Sequence, residues 1–215
     1  MSDASDPRTA SEPAWLTWGR ALQALAQTGL HFARDPFDRQ RYEEIRTIAT
    51  AMLAAGSGEP TPRVLELFRQ DTGYATPKVG VRGAVFRDDR ILLVRERDDG
   101  RWSLPGGWAD VNQSAAQCVE REINEESGFT ARATKLVGVW VRRRHVTRPS
   151  PFSIYFLHFV CTLTGGSARP GTETTEVAFF AEDALPELSV DRVTEWMIGR
   201  MFAHQRHPEL PTEFD

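Results

Sequence analysis

Three glutamates share one short segment of the chain, and they are Glu122, Glu125 and Glu126. Ser114 and Gln117 stand at the spacing of a capping box, which marks the start of a helix. Gly128 supplies a stop signal, so the sequence predicts a helix over 115–127. With about 3.6 residues per turn, the carboxylates fall within an arc of about 100° on that helix. This grouping of oxygen anions indicates a site for a cation.

The face beside the glutamates is apolar, and its members are Ala116, Val119 and Ile123. Because this face must point to the core, the carboxylates are expected at the edge of the buried surface. Like charges one turn apart destabilise a helix by about 0.2–0.5 kcal/mol per pair, and anions in the last turn by about 0.3–1 kcal/mol each. Hard oxygen donors clustered against both effects favour Mg²⁺ or Mn²⁺. A solvated acidic face neutralised by Arg121 is the alternative that the spacing leaves open.

A longer pattern around the glutamates is similar to the Nudix box. That box is a glycine, five residues, a glutamate, seven residues, then Arg-Glu-apolar-any-Glu-Glu-any-Gly-apolar. Eight of its nine defined positions match over 23 residues, and they are Gly107, Arg121, Glu122, Ile123, Glu125, Glu126, Gly128 and Phe129. The protein therefore resembles the Nudix hydrolases over about 78–205. The region before it, and the runs Trp102–Asp110 and Pro211–Asp215, resemble a bacterial subgroup that hydrolyses nucleoside diphosphates linked to another moiety.

This resemblance implies an α+β fold, in which a Nudix α/β/α sandwich with a mixed sheet follows a small N-terminal helical domain. It also implies hydrolysis of a pyrophosphate assisted by Mg²⁺ or Mn²⁺. The implied metal ligands and catalytic carboxylates, one of which can also act as the base, are Glu122, Glu125 and Glu126. Arg121 is implied to orient a glutamate, and Gly106 and Gly107 to let the backbone pass close to the metal.

Gln113 is the departure from the family pattern, because it stands where the box has its first glutamate. A neutral amide cannot replace an anionic ligand, although it can still form hydrogen bonds. The change leaves the other three glutamates intact. It is also what supports an alternative function, a non-catalytic sensor that binds a ligand and regulates a partner.

Residues outside the box supply candidates for substrate binding. The predicted substrate-binding residues are Gly107, Trp108, Arg142 and Arg144. Arginines can hold phosphates and tryptophans can stack on a base, while a solvated basic strand end and core packing are the structural alternatives. Trp102 shares the stacking hypothesis, and Arg143 and His145 belong to the same basic segment. Glu173 and Glu176 are possible extra acidic groups or surface residues, whereas Cys118 and His158 are expected to pack in the core.

Hydrophobic periodicity divides the chain into four parts. The sequence predicts a disordered tail over 1–12, a helical domain over 13–75, the Nudix domain over 76–205 and a C-terminal tail over 206–215. Trp15, Trp18, Leu22, Leu25 and Phe37 offer more apolar surface than so small a helical unit can readily bury, which predicts a homodimer.

Composition narrows the class of partner. With 26 basic and 30 acidic residues, the net charge of −4 disfavours binding of nucleic acid through an overall positive field. An RNA-end hydrolase or exonuclease stays open as an alternative that would need a local basic groove. The acidic, polar N-terminus is unlike a signal peptide, and no apolar run is long enough to cross a membrane. A cytoplasmic enzyme acting on a small nucleotide is expected.

Overall fold

The computed structural model describes residues 12–146 and 150–215. Almost all of the tail predicted over 1–12 lies outside these residues. The described chain divides into two compact units, one formed by 12–78 with 150–153 and the other by 79–146 with 154–215.

The first unit contains helices α1 (Ala14–Phe32), α2 (Pro36–Ser57) and α3 (Thr61–Arg69). The side chain of Asp35 caps α2 by accepting the backbone N–H groups of Phe37 and Asp38, as its place before a proline predicts. Helix α2 does not end at Gly56 but continues to Ser57, and its left-handed cap is Gly58, with φ 74°. Gly56 instead makes room for the ring of Trp15. The helices bury a small core, formed by Leu16, Leu53, Ala54, Val64 and Phe68.

The second unit is built on a sheet that has seven strands within the described residues, in the order β3-β2-β1-β5-β4-β7 with β6 also paired to β2. The strands are β1 (Lys78–Arg87), β2 (Arg90–Glu96), β3 (Trp102–Ser103), β4 (Phe129–Val141), β5 (Ile154–Gly166), β6 (Thr174–Phe180) and β7 (Glu213–Phe214). Because β7 pairs parallel to β4 whereas β4 and β5 are antiparallel, the sheet is mixed.

Helices cover both faces of this sheet, and they are α4 (Ala115–Ser127), α5 (Arg142–His145) and α6 (Glu195–Arg206). Side chains alternate along a strand, so β2 sends Leu92 into the cluster that packs on α4 and Leu93 into the cluster that packs on α6. The predicted α+β fold, a mixed sheet between helices preceded by N-terminal helices, is confirmed.

The C-terminal residues are part of this framework. The segment predicted as a tail over 206–215 begins with the last residue of α6, and it contributes β7 to the edge of the sheet. Glu213 pairs with Arg200 and His204, and both lie on α6. Among the described helices, none is long and apolar enough to cross a membrane.

Candidate active site

Helix α4 begins and ends where its sequence predicts. The Ser114 hydroxyl accepts the Gln117 N–H at 3.2 Å, and the Gln117 side chain accepts the Ser114 N–H at 2.8 Å, which forms the predicted capping box. Gly128 closes the helix with φ 75°. The face that packs on the sheet carries Cys118, Val119 and Ile123, all fully buried. This packing fixes which way the glutamates of the same helix point.

The loop after β3 lies directly against β1. The N–H of Val81 donates to the carbonyl of Gly107 at 2.8 Å, and the N–H of Gly83 donates to that of Pro105 at 2.9 Å. Gly106 has φ 149°, and a Cβ there would overlap the carbonyl oxygen of Val81. A Cβ on Gly107 would lie 2.8 Å from a carboxylate oxygen of Glu122. Gly106 therefore allows the loop to lie against β1, and Gly107 allows it to approach the carboxylate of Glu122.

Glu126 lies deepest in this arrangement, with 7% of its surface exposed. Its Oε2 accepts the N–H of Gly106 at 2.9 Å. Burial raises the pKa of Glu126 to about 8, against the opposing positive charge of Arg82. A nearby cation would favour the ionised form of this carboxylate.

Arg121 joins the more exposed carboxylates. Its guanidinium lies 2.8 Å from Glu125, 3.1 Å from Glu122 and 2.8 Å from Asp110. The side-chain oxygen of Gln113 is 3.4 Å from Nε of the same arginine. Burial also raises the pKa of Glu122, although the charge of Arg121 opposes the shift. Arg121 thus orients these side chains and partly neutralises them.

These groups line one pocket of about 270 Å³, whose wall is formed by Gly107, Trp108, Asp110, Arg121, Glu122, Glu125, Glu126, Thr172 and Glu173. Carboxylate oxygens are the donors that Mg²⁺ and Mn²⁺ prefer, so the donor set fits such a cation. Over the described residues, no group of three or more His, Cys, Asp or Glu side chains converges as a metal site would. Since Glu122 and Glu125 are paired with Arg121, a cation would compete with this arginine for them.

The two tryptophans that flank the loop differ in their surroundings. Trp108 lines the pocket, is 51% exposed and stacks on Phe156 with ring centres 6.4 Å apart. Trp102 is half-buried and packs edge-to-face on Phe180, outside the pocket wall. Part of the Trp108 ring is therefore exposed beside the carboxylates of the pocket.

The basic segment after β4 does not line the described pocket. Arg144 is exposed on the single turn of α5, while Arg142 is half-buried and donates to the carbonyl of Asp191 at 3.3 Å. His145 is buried and lies 2.8 Å from the carboxylate of Asp215. The chain that follows, 147–149, is outside the described residues.

The remaining candidate residues lie in three different environments: the pocket, the surface and the core. Glu173 lines the pocket, whereas Glu176 pairs with Arg95 on the surface. Cys118 and His158 are buried, as expected of core residues.

Sequence reasoning missed Asp110 and Thr172 in the pocket wall and Arg82 behind it. Asp110 stands in the run of residues that resembles the subgroup, where it was not given a function. Arg82 was detectable as a lone charge inside an otherwise apolar strand, between Val81 and Gly83. A charged side chain in such a position is either exposed or buried with compensating partners, so the pattern marks Arg82 as a residue with a specific environment.

Comparison with known families matches both parts of the chain. Residues 13–68 match a family model described as a UDP-X-like, N-terminal oligomerisation domain. Residues 76–198 match the model of the NUDIX domain.

Individual proteins are similar over most of the chain. YjhB of Bacillus subtilis, provisionally named an ADP-ribose pyrophosphatase, is 41% identical over 201 residues, which cover 94% of this chain and 97% of YjhB. A solved UDP-X diphosphatase is 32% identical with a TM-score of 0.61, over 94% of this chain and 98% of its own. An ADP-ribose pyrophosphatase from Streptococcus suis is 36% identical with a TM-score of 0.60, over 65% of this chain and all of its own.

Proposed function

The chain belongs to the Nudix hydrolases, and on that premise we propose that it cleaves the pyrophosphate of a nucleoside diphosphate linked to another moiety, with Mg²⁺ or Mn²⁺. The products are a nucleoside monophosphate and a phosphorylated second group. The observation that carries the proposal is the single pocket in which Glu122, Glu125 and Glu126 meet the Gly106–Gly107 loop. The proposed substrates are of the ADP-ribose, CDP-choline or UDP-sugar type, and relatives named for ADP-ribose and for UDP-X support the first and the last.

The residues that would hold the cation are Glu122, Glu125 and Glu126. When bound, the cation supplies charge stabilisation on the phosphate oxygens and lowers the pKa of an attacking water. Arg121 holds Glu122 and Glu125 side by side, which keeps their oxygens directed into the pocket. Glu126 is held at the buried end of this set by the N–H of Gly106.

Substrate would lie along the same wall. The exposed ring of Trp108 offers a surface on which a nucleobase stacks, and Gly107 lets the loop approach the carboxylate of Glu122. Arg142 and Arg144 are proposed to reach the phosphates from the end of β4. Neither residue lines the described pocket.

A panel of ADP-, CDP-, UDP- and GDP-linked substrates tests the reaction. With Mg²⁺ we expect release of the nucleoside monophosphate from at least one of them, and loss of turnover in excess EDTA that is restored by added Mg²⁺. Turnover that persists in EDTA would overturn the metal dependence. Inactivity across the panel would overturn the reaction itself.

The N-terminal helices are proposed to form a homodimer. Their match to an oligomerisation-domain model supports this, and so does the exposure of Trp18, Leu25 and Phe32 on α1. The cytoplasmic location expected from the sequence stays a prediction.

Hydrolysis at RNA ends is the weaker alternative. The pocket wall carries Asp110, Glu173 and the three glutamates against Arg121, and this acidic lining repels a polyanion in the absence of metal. Single-stranded RNA added to the panel separates the two activities.

A further inference from the structure

Arg82 is a buried cation that the proposed chemistry does not use. It lies on β1 with 6% of its surface exposed, between strand residues that are themselves buried. Burial lowers its pKa, but an arginine stays protonated at any pH at which the protein is folded. A buried guanidinium is retained only where carboxylates or carbonyls compensate for its lost hydration.

The guanidinium is directed at the glycine loop. Nη1 donates to the carbonyl of Gly106 at 2.7 Å and to that of Leu104 at 2.9 Å. The hydroxyl of Ser103 lies 3.5 Å from the same nitrogen. One cationic nitrogen thus donates to two backbone carbonyls of the loop. Hydrogen bonds from a charged donor are about twice as strong as those between neutral groups.

The loop in turn holds Glu126. Gly106 accepts from Arg82 through its carbonyl and donates through its N–H to the carboxylate of Glu126 at 2.9 Å. The charges of Glu126, Glu96 and Glu122 also act on Arg82 and oppose the effect of its burial. A shift of the loop would move the donor that fixes Glu126.

We propose that Arg82 is a positioning residue for catalysis, which fixes the Leu104–Gly106 loop against β1 and thereby sets the orientation of Glu126 towards the metal and substrate. Its catalytic part rests on the proposed hydrolase function. Its structural part, the anchoring of the loop, stands without it.

The test compares Arg82→Met, which removes the charge and the donors, with Arg82→Lys, which keeps a charge without the planar guanidinium. The primary measurement is hydrogen exchange of the Gly106 amide by NMR. The Ala109 amide, which donates to the carbonyl of Val79, is the internal reference in the same loop. We expect exchange at Gly106 to accelerate at least tenfold in Arg82→Met and less in Arg82→Lys, with Ala109 changed by less than threefold.

The second measurement is steady-state turnover on the substrate found with the panel. We expect kcat to fall about 100-fold in Arg82→Met and about tenfold in Arg82→Lys, with KM within threefold, because Arg82 anchors the residues that orient Glu126, whereas the proposed contact with the nucleobase is made by Trp108. Met201→Ala, which removes buried volume from α6, is the stability control and should leave the Gly106 amide and kcat near wild type.

Wild-type exchange and kcat in a folded Arg82 variant would overturn the proposal, as would equal losses in Met201→Ala. If Arg82→Met fails to fold, Arg82→Lys decides by the same criteria. A wild-type protein that hydrolyses nothing would refute the proposed function, while the exchange of Gly106 would still judge the anchoring.

Discussion

At the scale of single residues, the site depends on how differently its carboxylates are surrounded. Glu126 is buried between the Gly106 N–H and the charge of Arg82, whereas Glu125 is exposed and paired with Arg121. Burial raises the pKa of the first, so in the absence of a cation it is largely protonated at neutral pH. The same helix therefore carries one buried carboxylate that a cation would help to ionise and another that lies in solvent beside Arg121.

Glu126→Gln should abolish most activity and leave the fold intact. The amide oxygen can still accept the Gly106 N–H, but the anionic ligand is lost. We expect turnover at saturating Mg²⁺ to fall by about 10²-fold or more, equivalent to about 2.7 kcal/mol of barrier, with a melting temperature at or above wild type. Glu176→Gln, at an exposed carboxylate paired with Arg95, is the control and should change neither the turnover nor the melting temperature. Normal turnover in Glu126→Gln would remove this residue from the mechanism.

Gln113→Glu should raise the rate tenfold at most. Gln113 lies beside Arg121, which already forms ion pairs with Asp110 and with the helix carboxylates. A further carboxylate at position 113 would therefore add little to the ion pairs of this arginine. The measurement is kcat of both proteins at saturating Mg²⁺. A silent wild type revived by Gln113→Glu would instead favour the sensor function.

His158 should make the protein less stable in mild acid. Burial lowers its pKa from 6.5 to about 3, so between these values the unfolded chain binds a proton that the folded chain does not. The free energy of unfolding should therefore fall as the pH drops through this window. Between pH 7 and 4.5, the free energy of unfolding of His158→Gln should fall by roughly 3 kcal/mol less than that of the wild type. Urea denaturation at each pH measures this difference. An identical pH dependence of the unfolding free energy in the two proteins would contradict this prediction. So would an equal change in that pH dependence on His207→Gln, at an exposed histidine.

At the scale of elements, the site is built by helix α4, by the loop after β3 that lies against β1, and by the segment before β6 that contributes Thr172 and Glu173. Helix α4 presents the carboxylates because its apolar face is bound to the sheet, and the loop after β3 is hydrogen-bonded along β1. The start of α4 is set by two reciprocal bonds between Ser114 and Gln117.

Ser114→Ala and Gln117→Ala should each lower the free energy of unfolding, by about 1 kcal/mol for the serine and less for the glutamine. Because each side chain bonds the backbone of the other, the double variant should lose less than the sum of the single losses. Urea denaturation of the four proteins gives the coupling. Strictly additive losses would show that the capping box does not act as a unit.

At the scale of the whole molecule, α1 carries a stripe of exposed apolar side chains. Trp18 and Leu25 are each 61% exposed and Phe32 is 64% exposed, and their spacing of seven residues places them on one line. The opposite face of α1 buries Leu16 and Ala26, so the helix is apolar on both sides. An exposed stripe of this kind is typical of an interface.

Trp18→Glu combined with Leu25→Glu should convert a dimer into a monomer. Buried charges without partners oppose association, while the fold loses no internal packing at these exposed positions. Light scattering at micromolar concentration measures the mass, and Val111→Glu at another exposed apolar residue is the control. A monomeric wild type would rule out the dimer.

The sequence by itself determined what depends on neighbours along the chain. The bounds of α4 follow from Ser114, Gln117 and Gly128, because capping bonds span only a few residues. The grouping of the glutamates follows from helical periodicity, and their pattern with Gly107 identified the family.

Only the tertiary structure decided what depends on residues distant in the chain. It selected Trp108 over Trp102 for the pocket, and brought Asp110 to Arg121. It also placed Arg82 against a loop more than twenty residues away and left Leu25 in solvent. A lone charge in an apolar strand and an apolar residue on a helix are compatible with several environments. Which one applies is set by the surface that folding brings against them, and no local pattern encodes that surface.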